Sequence, residues 1–222
     1  MTLFRRLHRT LDPGDTLAEL IFGLLMVLSF TLGARLLGPE EPTDCRELLI
    51  AAIGCNIAWG IIDGCLYVLG CVFERRRIAS VTEALRGARD EQTALVALRA
   101  ELDGDLTGLG DPAQRDGFYA SIAGSARSGP TAQVKIRAED LRGAVRVFFL
   151  VVATAVPAAI PFLIWQDAYL ALRISNALLI SCLFVIGFFW GRHVGSPRPA
   201  IAGAVIMAIG VILVLIAIPL GG

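Results

Sequence analysis

The sequence predicts an all-α, polytopic membrane protein with five transmembrane helices and a cytoplasmic helical insert between helices two and three. Three observations carry that expectation. The chain of 222 residues is 55% hydrophobic with a mean hydropathy of +0.67, too apolar for an ordinary soluble domain. Its apolar residues gather into five runs, 17–37, 48–73, 144–165, 169–191 and 199–220. At 1.5 Å per residue each run crosses the ~30 Å hydrocarbon layer as a helix, the economical fold where no water bonds the backbone. The basic residues, finally, are spread unevenly: of twenty, nineteen are Arg, and twelve fall between Arg75 and Arg146.

The elements follow in chain order. Residues 1–16 are expected to form a short interfacial amphipathic helix, because Leu3, Phe4, Leu7 and Leu11 oppose Arg5, Arg6, His8 and Arg9. A cleaved signal peptide is the competing reading, but the apolar run is long and has no convincing small-x-small cleavage site near Leu32-Gly33-Ala34. Residues 17–73 hold helices one and two. Glu19 and Arg35 sit near the ends of the first, where either reaches the interface. The connecting loop from Gly38 to Glu47 carries Glu40, Glu41, Asp44 and Glu47, a solvated acidic stretch or a cation-attracting mouth.

Residues 74–143 form the insert. Arg77 to Leu102 reads as one helix with Ile78, Val81, Leu85, Leu95, Leu98 and Leu102 on its apolar face, and Ala113 to Ala126 as a second, weaker one. Few large apolar side chains occur there, so a poor independent core is expected. The stretch Asp103 to Asp111 superficially resembles a calcium loop, but Gln114 stands where the bidentate Glu belongs, and a glycine-rich turn is the simpler reading. Residues 144–222 hold helices three to five. Pro157 and Pro161 remove backbone donors from the third and predict a bend. Arg173 and Asn176 fall in the first turns of the fourth, near a surface.

Orientation follows from the basic residues. The amino-terminal tail, the long middle segment and the loop around Arg192 and Arg198 are basic, whereas the opposite connections hold only Arg46. The positive-inside rule then places the amino terminus in the cytoplasm and the carboxyl terminus outside. An Arg-rich, compact chain of this kind suits a bacterial inner membrane.

Function is expected to centre on Asn56 to Gly64, inside the second run. Asp63 is the one acid deep in a predicted span, where an aspartate costs ~2.5–3.5 kcal/mol on insertion scales. Asn56, Gly60, Asp63, Tyr67 and Gly70 share one helical face, and Gly60-x-x-x-Gly64 flattens it for close helix approach. That face is expected to meet protein or a small aqueous cavity. Other chemistry is sparse. The five cysteines make no Cys-x-x-Cys, so neither a disulfide framework nor a zinc site is indicated. Two histidines, His8 and His193, assemble no catalytic set, and zero net charge gives no reason to expect nucleic acid. The protein is expected to be neither an enzyme nor cofactor-dependent.

Ile21-Phe22-Gly23-Leu24 in the first run, Pro157-Ala-Ala-Ile-Pro161-Phe162 in the third, and Phe184 to Gly191 followed by Gly195 resemble the vacuolar iron transporter (VIT) family. The resemblance implies five helices with a cytoplasmic insert, a homodimer, and export of ferrous or similar divalent ions against protons. Met26 stands where family members carry an Asp, and residues 74–143 lack the family's Met-rich ligands. The ion path implied here uses Asp63 as the intramembrane acid, Asn56 as its support, Glu19 at the cytoplasmic entrance and Met26 as a soft thioether ligand. The cargo that the resemblance implies is Fe2+ or Mn2+. The alternative is a non-transporting membrane scaffold in which Asp63 locks helix packing.

Overall fold

Helices are the only regular structure among the described residues. The computed structural model describes residues 13–33, 45–102, 104, 111–128 and 133–217. Residues 1–12 of the expected interfacial helix, 38–44 of the acidic loop and most of the calcium-like stretch lie outside them, whereas residues 13–16 and 45–47 belong to the helices that follow. The helices are α1 (Pro13–Gly33), α2 (Cys45–Gly87), α3 (Glu91–Leu102), α4 (Pro112–Ser128), α5 (Ala138–Ala153), α6 (Ala155–Ile164), α7 (Ala168–His193) and α8 (Pro199–Ala217). Four helical stretches are long and apolar enough to cross a bilayer: Leu49–Gly87, Ala138–Ile164, Tyr169–His193 and Pro199–Ile216. This is an integral membrane protein.

The chain divides into two compact units, one of Met1–Tyr67 with Ala138–Gly222, the other of Val68–Arg137. The first unit is a helix bundle. Its buried core joins Leu24, Val27 and Leu28 of α1 to Ala155 and Ala158 of α6 and Leu179 and Leu183 of α7. Lipid tails are as apolar as leucine, so close packing and hydrogen bonds hold such a core rather than escape from water. Small residues make that packing close. A Cβ placed on Gly203 would sit 2.8 Å from the Phe184 carbonyl oxygen, and one on Gly191 2.7 Å from Ala202 Cβ, so α7 and α8 meet almost backbone to backbone.

Helix ends in this unit are set locally. Asp167 caps α7 by accepting from the backbone N–H groups of Tyr169 and Leu170 at 2.9 and 3.1 Å. At the other end Gly195 takes φ +74°, and the Ser196 N–H reaches back to the Gly191 carbonyl at 2.9 Å, a Schellman closure. The third apolar run is not one helix: it breaks at Thr154, three residues before Pro157. Pro157 has no N–H for the Ala153 carbonyl and its ring crowds that oxygen, so the bend falls one turn ahead of the proline. Asn176, in the first turns of α7, is buried in the bundle, with the Thr31 hydroxyl 3.0 Å from its Oδ1.

The second unit has a core of its own around Tyr119, with Leu85, Ala94, Leu98 and Ala123 buried against it. The single helix expected from Arg77 to Leu102 is interrupted at residues 88–90. Gly87 ends α2 there, and Asp90 restarts the chain by accepting from the Thr93 N–H at 2.7 Å. Asp111 and Gln114 close a reciprocal capping box at the start of α4: the Gln114 N–H donates to Asp111 Oδ1 at 2.8 Å, and the Asp111 N–H to Gln114 Oε1 at 3.2 Å. Two residues of the calcium-like pattern are thus helix caps.

Candidate functional site

The polar face of α2 packs along α5 in antiparallel register. From residue 56 to 67 on α2 its contacts run backwards from 154 to 143. Asn56 donates to the Val151 carbonyl and to Thr154 Oγ1. A Cβ on Gly60 would meet the Phe148 carbonyl oxygen at 3.1 Å, one on Gly64 would meet that of Ala144 at 3.1 Å, and the Tyr67 ring covers Gly143. The face legible from spacing is therefore the face that meets protein, as far as Tyr67. Gly70, the last member of the stripe, meets nothing within 4 Å.

Helix α1 runs along the same region of α2. Phe22 and Trp59 meet edge to face with ring centroids 6.3 Å apart. One turn before Phe22, the Glu19 carboxylate lies close enough to Asp63 and Asp15 to feel both charges. One residue after it, Gly23 leaves room for Thr154, whose Oγ1 would lie 2.5 Å from a Cβ there. Two helices thus converge on α2 at two levels, a carboxylate level and a carboxamide level. Asp63 and Asn56 are seven residues apart on α2, roughly 10 Å along the helix.

At the carboxylate level, Asp63 is partly buried and its Oδ2 is shielded, with no hydrogen-bond partner among the described residues. Such an oxygen costs about 1–3 kcal/mol, more when charged. Glu19 is partly buried as well. At the carboxamide level, Asn56 is fully buried (0% exposed). Its Nδ2 donates to the Val151 carbonyl at 2.9 Å and to Thr154 Oγ1 at 3.0 Å, and Thr154 Oγ1 donates to the same carbonyl at 2.6 Å. The Thr154 N–H also reaches that oxygen, at 3.2 Å. The Asn56 Oδ1 is buried without a hydrogen-bond partner among the described residues.

Of the four residues expected on the path, the fold brings Glu19 and Asp63 within electrostatic reach and turns Asn56 toward the α5–α6 break. Met26 lies two turns along α1 from Glu19, partly buried. Among the described residues no three His, Cys, Asp or Glu side chains gather as a metal-holding group. Sequence reasoning missed Thr154, Thr31 and the buried Asp140 in the first turn of α5. The available signal for Thr154 was a hydroxyl residue just ahead of a proline inside an apolar run, where the freed carbonyls need donors.

The chain matches no family model and no curated protein. The likeness to vacuolar iron transporters therefore rests on the short stretches quoted above, and the chemistry of the site rests on its geometry.

Proposed function

We propose that this protein is a VIT-like membrane transporter of a divalent cation of the iron or manganese class, moved in exchange for protons. In this reading α1 is a fifth crossing, residues 74–143 are a cytoplasmic insert, and the amino terminus is cytoplasmic in a bacterial inner membrane. A homodimer completes the assembly, as the family resemblance implies. The observation that supports transport is the carboxylate pair. Glu19 lies within electrostatic reach of Asp63, and the buried Asp63 Oδ2 has no hydrogen-bond partner among the described residues. Two like charges in such a place call for a third party, and a divalent cation or two protons neutralise them equally well. Met26, farther along α1, supplies a thioether beyond that level.

The test is metal-ion flux in proteoliposomes, comparing the wild-type chain with Asp63→Asn and Glu19→Gln. Loss of flux in both is expected, and flux unchanged in both would remove the pair from the mechanism. A scaffold is the second reading, and one observation favours it: Asn56 is engaged in holding α2 to the α5–α6 break rather than lining a path. A scaffold moves no ion in any of the three proteins.

A further inference from the structure

A cleft of about 710 Å³ opens between the first turns of α1 and the last turns of α7, lined by Pro13, Thr16, Leu17, Phe189, Arg192 and His193. Its chemistry is graded. Leu17 and the half-exposed Phe189 make an apolar wall, while Arg192 and His193 place cationic and hydrogen-bonding groups at one end. The membrane-crossing stretch of α7 ends at His193, so the polar end of the cleft lies at headgroup depth and the apolar wall on the hydrocarbon side. The His193 ring is seated against α1, 3.3 Å from where a Gly14 Cβ would be.

The start of one helix raises the positive potential there, Asp15 in its first turn offsets part of it, and the end of the other helix adds little negative potential. The start of α1 presents the positive end of a helix dipole. The negative end of α7 is already satisfied, because its Trp190, Gly191 and Arg192 carbonyls accept from the Val194, Ser196 and Gly195 N–H groups. None of the described lining residues is acidic. A guanidinium beside an imidazole matches a phosphodiester, and the wall behind it matches the first methylenes of an acyl chain.

We propose that this cleft holds one anionic phospholipid, its phosphodiester on Arg192 and His193 and an acyl chain along Leu17 and Phe189. The site is independent of the carboxylate pair. The full chain is reconstituted in nanodiscs of phosphatidylcholine with a minor fraction of phosphatidylglycerol, and the lipid retained on release is read by native mass spectrometry. Selective retention of phosphatidylglycerol is expected, weakened about fivefold by Arg192→Gln. His193→Gln is expected to weaken it in the same direction, which keeps the test available if the arginine variant does not assemble. Arg198→Gln changes an exposed cation outside the cleft and is expected to leave retention as it was. Inorganic phosphate is expected not to displace the lipid, since it has nothing to lay along Leu17 and Phe189. No preference over phosphatidylcholine, equal loss in Arg198→Gln, or displacement by phosphate would each overturn the proposal.

Discussion

Asn56 donates its carboxamide to the carbonyl oxygen of Val151, 2.9 Å away, at the turn before the α5–α6 break. The bond joins two features ~95 residues apart in sequence, a lone carboxamide in α2 and a proline-broken helix. A break inside an apolar layer exposes carbonyls that water cannot reach, and their stability depends on donors from neighbouring helices. Asn56 and Thr154 are those donors. The break ahead of Pro157 is held by a residue on another helix.

Replacing Asn56 should therefore loosen the break. Asn56→Ala removes two hydrogen bonds and opens a small void. A loss of about 1–3 kcal/mol is expected, read as a lower thermal unfolding midpoint in detergent. Asn56→Asp keeps the shape but not the donor, and should be at least as damaging. A midpoint unchanged in both would mean that Thr154 alone satisfies the Val151 carbonyl.

Gly23 sets a second constraint at the same place. A Cβ there would stand 2.5 Å from Thr154 Oγ1 and 2.9 Å from its Cγ2, too close for either atom to remain where it is. Gly23→Ala is expected to cost about 1–3 kcal/mol by overpacking. Thr154→Ala removes both crowded atoms, so the double variant should lose less than the two single losses added together. Additive losses would show that Gly23 and Thr154 do not touch in the membrane. Gly54, which meets nothing within 4 Å, serves as the control, and Gly54→Ala should change little.

Part of this was legible in the residues and part was not. Four of the five hydropathy runs coincide with helical stretches long and apolar enough to cross a bilayer, because a bilayer demands length and apolarity together. The stripe from Asn56 to Tyr67 was readable because helical spacing fixes which side chains share a face. The partner face was not readable, since nothing in the spacing of α2 says that Val151, Phe148 and Ala144 lie opposite. The break at Thr154 was displaced from the prolines that cause it, because a proline disturbs the carbonyl four residues earlier. Asp90 and Asp111 start helices with their own side chains, and the restart at the first of these divided a continuous apolar face. Met26 shows the limit: its spacing from Glu19 is sound, but spacing alone does not bring a ligand set around it.

The second unit separates packing from charge. Arg99 makes a bidentate pair with Asp116, with both shorter contacts at 2.7 Å, yet both side chains are about a third exposed or more. Arg99→Ala is expected to cost no more than about 1 kcal/mol. Tyr119 is fully buried at the centre of the cluster, and Tyr119→Ala should cost about 3–5 kcal/mol. Limited trypsin digestion is a direct readout, because residues 68–137 are rich in arginine. Rapid cleavage there is expected in Tyr119→Ala and not in Arg99→Ala. The reverse order would mean that the ion pair, not the aromatic core, holds this unit.

Stability and flux together distinguish transport from scaffolding at Asp63. A carboxylate kept for packing should have its oxygens bonded, and removing its charge should weaken the bundle. Asp63 has a shielded Oδ2 without a hydrogen-bond partner among the described residues, and a second acid, Glu19, within reach of its charge. Asp63→Asn removes the repulsion and supplies an amide donor, so its unfolding midpoint should rise, by the equivalent of about 1–3 kcal/mol. Glu19→Gln should raise it too, and the double variant by less than the two gains added, since the repulsion between Asp63 and Glu19 is relieved only once. Divalent cation should raise the wild-type midpoint and leave the double variant unmoved, because ligand binding stabilises only the form that binds. A lower midpoint in Asp63→Asn, with no response of the wild type to cation, would assign the acid to packing and leave transport without its charged pair.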